Sequence, residues 1–194
     1  MNPFNDLADS NFWRRAISSK SKFEVDPVIS TKFKITKEQK ICTAGSCFAQ
    51  NLAIALKKEG YNYHVTEVAD NSLSPEEQRK KSYGTFSARY GTVYTTMQLY
   101  EIFKEAIGEL PVSNLVWREK DSKNYIDALR PNLGEVFEDK DQVIKSRIAH
   151  LKCVEKVIKE SDIFVFTLGL TESWISKESN RTLPIAPGAY NFEE

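Results

Sequence analysis

Thr43 to Leu52 reads TAGSCFAQNL, a run of small residues that ends in Gly45-Ser46-Cys47 just before a stretch with helical spacing. A thiol on the first turn of a helix is well placed for chemistry. The unpaired N–H groups there, together with the positive end of the helix dipole, favour a thiolate and can cradle an oxyanion. Cys47 is therefore a candidate nucleophile, with Ser46 beside it. The same residues also allow a purely structural use, in which Gly45 and Ser46 make the turn and cap the helix while Cys47 packs as a small apolar residue. The cysteines are three in number, Cys42, Cys47 and Cys153, without C-x-x-C spacing. That pattern gives neither a disulfide framework nor a zinc site and leaves free thiols.

The elements that must position Cys47 can be read on either side of it. KICTAG predicts a short strand, and CFAQNLAIALKKEG a helix with Phe48, Leu52 and Leu56 at helical spacing and Gly60 as its stop. YNYHV follows as a second strand, so strand, helix and strand form the βαβ unit of a parallel sheet. The ligand position of such a sheet is the carboxyl edge of its strands, which is where Gly45-Ser46-Cys47 falls. After the polar loop ADNSLSPEEQRKKS, Thr95 and Gln98 predict a capping box. The helix they open carries Leu99, Ile102, Phe103, Ala106 and Ile107 on one face and stops near Gly108. NLVWREKDSKNYIDALRP reads as two extended pieces around a polar turn, and residues 141–161 as a helix with Ile144, Ile148, Leu151 and Val154 inward. DIFVFTLG is almost continuously apolar, as a central parallel strand would be, and the remaining tail reads as a long loop.

With 194 residues the chain has room for one sizeable domain, here 39–194, preceded by a polar arm, 1–38, with Trp13 and Phe23 as its expected anchors. Lys plus Arg equal Asp plus Glu at 27 each, so charge points to no nucleic-acid partner. The N-terminus lacks the apolar core of a signal peptide, and no run is long enough for a membrane span, so a cytoplasmic protein is expected. No G-x-G-x-x-G or G-x-x-x-x-G-K-[ST] follows a strand, which removes the phosphate cradle of nucleotide-binding proteins.

GSCFA, ARYGTVYT, FTLGLTESW and LPIAPG occur in this order between Cys42 and Gly188. Together they resemble the GSCFA-domain family, which is similar to the SGNH (GDSL-like) hydrolases. The resemblance implies a three-layer α/β/α sandwich with a mostly parallel sheet, SGNH-hydrolase or flavodoxin-like in type. It also implies an esterase or acyltransferase acting on carbohydrate or related small esters, with no cofactor and no metal. The region of resemblance corresponds to the front part of that family's domain, so a C-terminal part is expected to be missing here.

SGNH enzymes read Gly-Asp-Ser after their first strand. Laid on this chain without gaps, that motif puts Cys47 at the nucleophile position, and a shift of one residue promotes Ser46. A related group of capsule-polysaccharide acyltransferases reads Gly-Asn-Cys-Gln there. By the same resemblance Gly91 corresponds to the oxyanion-binding glycine, and Thr171 of Gly169-Leu170-Thr171-Glu172 stands where the family has an asparagine. A threonine hydroxyl can still donate one hydrogen bond. Glu172 and Trp174 would rim the site, with Glu172 an acid, a base or a solvated loop carboxylate. Gly45 and Gly169, with Trp174, are expected among the substrate-binding residues. Arg89 would hold a substrate anion, or pair internally with a carboxylate. The Asp-x-x-His that supplies the family's general base has no counterpart here, and His64 and His150 are both expected to be structural. A non-catalytic module binding a carbohydrate or anion on the same scaffold is the rival expectation.

Overall fold

A computed structural model describes residues 3–25, 31–120, 122–186, 188–189 and 192–193. The chain divides into two compact units, Met1–Thr36 and Lys37–Glu194. In the first, a 3-10 turn (Asp9–Asn11) and a π-helical turn (Arg14–Ser18) are tied by the Arg15–Asp9 ion pair at 2.9 Å, with the guanidinium over the Phe12 ring. Trp13 and Phe23, the anchors expected from the sequence, both lie in this unit.

The second unit is α/β. Strand β1 (Ile41–Gly45) pairs in parallel with β4 (Ile163–Thr167), from Ile41 opposite Ile163 to Gly45 opposite Thr167. Helix α1 (Cys47–Lys58) leaves directly from the end of β1. Its buried residues are Ala49 and Ala53, while Phe48 faces outward at 67% exposure, one step off the expected stripe. YNYHV does not form a full strand. It makes one parallel bridge, Tyr63 to Ile41, because Thr43, two residues along β1, gives both its backbone groups to Ser87, its N–H to Oγ at 2.9 Å and its carbonyl to the Ser87 N–H at 3.3 Å.

The polar loop that follows contains a helix the reading missed, α2 (Pro75–Lys80), with Ser74 and Glu77 in a capping box and proline in the first turn. Helix α3 (Thr96–Ala106) starts at the expected Thr95/Gln98 capping box. Leu99, Ile102, Phe103 and Ala106 pack on the core, whereas Ile107 is the exposed C-cap. Strands β2 (Val116–Glu119) and β3 (Tyr125–Asp127) form the expected antiparallel hairpin. Helix α4 (Lys140–Glu160) is capped by Asp139, which accepts the Gln142 N–H at 2.8 Å. Its buried side is Val143, Arg147, His150, Leu151, Val154 and Val157, so the inward stripe is turned from the predicted one and Ile148 is exposed. The expected loop tail holds the small hairpin of β5 (Trp174–Ile175) and β6 (Thr182–Leu183), and β7 (Phe192–Glu193) pairs with β2.

Two cores result. One collects Cys42, Ala44, Ala49, Phe86, Ala88, Tyr90, Val93, Val154 and Val157, and the other is built on Trp117, Ile126 and Leu183. The sheets are small. All five β4 residues are only half-buried, and among the described residues the strand has a ladder on one edge only, so the expectation of a central strand covered on both faces is not met. Among the described residues no helix is long and apolar enough to cross a membrane.

Candidate functional site

Gly45 ends β1 with φ +141°, and a Cβ there would lie 2.2 Å from Thr167 Oγ1 and 2.9 Å from the Thr167 carbonyl. Only glycine lets the two strand ends approach so closely. The Thr167 hydroxyl accepts the Ser46 N–H at 3.2 Å, which locks the turn from β1 into α1. Ser46 is the N-cap, its Oγ accepting the Phe48 N–H at 3.4 Å. Cys47 is the first residue of α1 and is exposed. The other thiols differ: Cys42 is buried and Cys153 half-buried, and burial pushes both up from the ordinary thiol range.

Two further segments reach this strand end. The Val93 N–H donates to the Gly45 carbonyl at 3.1 Å, and the Tyr94 carbonyl accepts the N–H groups of Gly169 and Leu170 at 2.9 and 3.1 Å. Gly169 lies close against the Tyr94 ring. The segments carrying Gly45, Gly91 and Gly169 are thus stitched together by backbone hydrogen bonds. Gly91 itself is buried, with φ +69° and no space for a Cβ beside Asn132 Oδ1. Thr171 and Glu172 are exposed, and the Thr171 hydroxyl donates to Glu172 Oε2 at 2.9 Å. Trp174, 58% exposed, lines an open groove with Tyr94, Leu170, Glu172 and Leu183.

Arg89 lies apart from this edge in its partners. It is 4% exposed, stacks on the Tyr83 ring, donates to the Lys81 carbonyl and Tyr83 hydroxyl, and pairs with Glu135 at 3.0 Å and Glu67 at 3.8 Å. The internal pairing is the alternative the sequence left open, and it leaves this guanidinium engaged by protein groups.

Beyond Arg89 runs a charge layer that the sequence reading did not find. Asp127, fully buried, receives Arg130 Nε at 2.8 Å and is also bound by Arg147. Burial alone would raise its carboxyl, but the two guanidiniums hold it far below the usual carboxylate range. Arg147 also donates to the carbonyls of Ser113 and Leu115, the latter at 2.6 Å, and Arg181 pairs with Glu105 at 3.2 Å. The available signal was Arg147 itself, spaced four after Val143 and seven before Val154 on the inward side of α4.

Both histidines are bound to carboxylates. His64 Nε2 lies 2.8 Å from Glu160, and His150 Nδ1 lies 2.6 Å from Glu67. Burial works to raise Glu67, yet its hydrogen bond and charge contact with His150, and the nearby Arg130, bring it down to about 2. Burial, with Arg130, lowers His150 from its ordinary value. Glu67 is therefore ionised near pH 7, and burial disfavours a charge on His150. No group of three or more His, Cys, Asp or Glu able to hold a metal occurs among the described residues.

The family model of the GSCFA family matches residues 40–193. No curated protein and no solved structure matches the chain.

Proposed function

The chain belongs to the GSCFA family, and from that premise we propose an SGNH-like acyl esterase or acyltransferase acting on a carbohydrate or related small ester, on a three-layer α/β/α scaffold. The observation that carries this reading is the exposed Cys47 as the first residue of α1, directly after a strand end held against β4 and the 91–95 segment. Ser46 is spent as the helix cap, which favours Cys47 over it. In the reaction Cys47 Sγ attacks the acyl carbonyl, a C–S bond forms, the ester C–O bond breaks, and the alcohol leaves with the thiol proton. Water or an acceptor hydroxyl then takes the acyl group from the thioester. The N–H groups at the start of α1, with Gly91 and the Thr171 hydroxyl once it turns away from Glu172, would carry the oxyanion, and Glu172 and Trp174 would rim the bound ester. Free thiols suit a reducing cytoplasm.

The rival reading, a carbohydrate- or anion-binding module without turnover, draws on one observation: each histidine is engaged by a carboxylate, Glu160 or Glu67, and not by the cysteine. An unassisted thiol is a weak nucleophile toward ordinary esters. The test is peptide mapping after brief exposure to limiting iodoacetamide and, separately, to an activated acetyl ester. The enzyme reading expects Cys47 to label ahead of Cys42 and Cys153, with acylation abolished by Cys47→Ala and kept in Ser46→Ala. An inert Cys47 in a protein that still binds sugars establishes the binding module instead.

A further inference from the structure

Three large apolar side chains stand exposed in the short segment that follows β4: Leu168 at 69%, Leu170 at 51% and Trp174 at 58%. Such a gathering on a surface marks a place where something binds. Here the three line two adjoining open grooves of about 590 and 660 Å³, the size of ligand clefts. The first, with Leu168, Leu170 and Met97 in its walls, begins at the residue after Thr167, whose hydroxyl holds the Ser46 N–H. The second runs on past Tyr94 and Trp174 to Leu183, Pro184 and Ile185, and the two share Leu170, Glu172 and Ser173.

The lining of the second groove says what fits it. Its buried polar residues, Thr95 and Gln98, are bonded to each other and to the Tyr94 N–H as the cap of α3. Glu172 and Ser173 remain as exposed polar side chains, and no lysine or arginine lines either groove among the described residues. A carboxylate or phosphate would meet Glu172 with no opposite charge to offset it. A sugar ring would find few free hydrogen-bond partners beyond those two residues. A neutral hydrocarbon chain, by contrast, meets Tyr94, Trp174, Leu183, Pro184 and Ile185 along its length and needs no partner.

We infer that the groove beside Trp174 is the subsite for an apolar acyl chain of a neutral ester, with Leu168 and Leu170 leading the chain to it from the strand end. Calling the chain the acyl part rests on the acyl-transfer reading, whereas the binding of a chain does not use Cys47. The substrate class narrows accordingly, to esters whose acyl group is long and uncharged, with the sugar or other alcohol left outside the groove. Glu172, which both grooves share, then disfavours the carboxylate that hydrolysis releases.

The experiment follows the Trp174 indole and the Leu170 methyl groups by NMR in the full chain during titration with N-methyloctanamide, a neutral chain without an ester bond. N-methylacetamide and octanoate serve as comparisons. Both groups should shift saturably with the octanamide, its affinity exceeding that of the acetamide by about two- to fourfold for each added CH₂ group, and octanoate should bind more weakly. Trp174→Ala and Leu170→Asp, both at exposed positions, should each weaken the octanamide about tenfold, and if one variant does not fold the other decides. A response that does not saturate, an acetamide or octanoate bound as tightly as the octanamide, or an unchanged affinity in a folded variant overturns the subsite. So does a shift that follows protein concentration instead, which would put a second copy of the chain in the groove. Titrating Cys47→Ala, and labelling the parent chain with para-nitrophenyl octanoate and acetate, separates the two readings. Chain binding with Cys47 unlabelled sinks acyl transfer and leaves the chain site standing, whereas labelling by both esters at one rate without chain binding does the reverse.

Discussion

The strand-end site and the charge layer use polar residues in opposite ways. At the strand end Cys47, Thr171, Glu172 and Trp174 are exposed, and the framework near them is made by backbone groups, closely packed glycines and the hydroxyls of Ser46 and Thr167. In the layer Arg89, Asp127, Arg130 and Arg147 are nearly inaccessible, and each is held by two or more protein groups. A buried charge that loses its partner is costly, whereas an exposed side chain can be lost with little effect on the fold. The comparison teaches that residue type alone does not mark exposure here: the buried charge layer serves the architecture, and the sparsely charged edge is open to solvent.

If this division is right, Asp127→Asn should do the most damage, since it leaves Arg130 and Arg147 facing each other without their shared carboxylate. A loss of about 3–5 kcal/mol is expected, measured as a lower urea midpoint at unchanged slope. A midpoint within error of the parent protein would break the comparison. Gly45→Ala comes next, because it puts a Cβ against the Thr167 hydroxyl and carbonyl in a left-handed backbone. Its cost should be about 2–4 kcal/mol, read in the same unfolding assay. Ser46→Ala removes one cap and should cost about 1 kcal/mol without loss of acyl labelling. Cys47→Ala should change stability by less than about 0.5 kcal/mol while abolishing that labelling.

Acid sharpens the same contrast through its sign. His150 is lowered by folding, so the unfolded chain binds its proton first, and the stabilisation from the neutral ring, complete above about pH 6.5, is lost as pH falls below it. Glu67, lowered to about 2, adds stability that is present above its unfolded value near 4.3 and lost from there down to about 2. Glu105, raised by burial, works in the reverse direction in weak acid. Comparing urea midpoints of the parent and His150→Asn from pH 7.5 to 5 isolates the first effect: the parent should lose its advantage on acidification. Parallel curves would mean that His150 does not titrate differently in the two states.

The local signals in the sequence were legible. Thr95/Gln98 opened α3 as a capping box, KICTAG gave β1, and the hairpin of β2 and β3 appeared where a polar turn divided two extended pieces. The short helix α2 could have been found from Ser-Pro-Glu-Glu, a capping box with proline at its first position, but lay in a stretch whose polarity suggested a loop. What the sequence could not show depends on long-range partners. The claim of Ser87 on Thr43 cut YNYHV to a single bridge across 44 positions. The pairing of Arg147 with Asp127 crosses 20 positions, and a stripe drawn from apolar residues alone passed over it. Arg89 looked like an anion-binding side chain because its two carboxylates, Glu67 and Glu135, stand 22 and 46 residues away.

Gly45 carries a last implication, for descent. A lineage can exchange Cys47, Thr171 or Glu172 and keep a folded domain, since those side chains face solvent and support nothing beneath them. It cannot place any side chain at Gly45 without parting the ends of β1 and β4. The glycine of the motif is therefore a record of inherited architecture, and it would persist in relatives that have exchanged Cys47, Thr171 and Glu172 altogether.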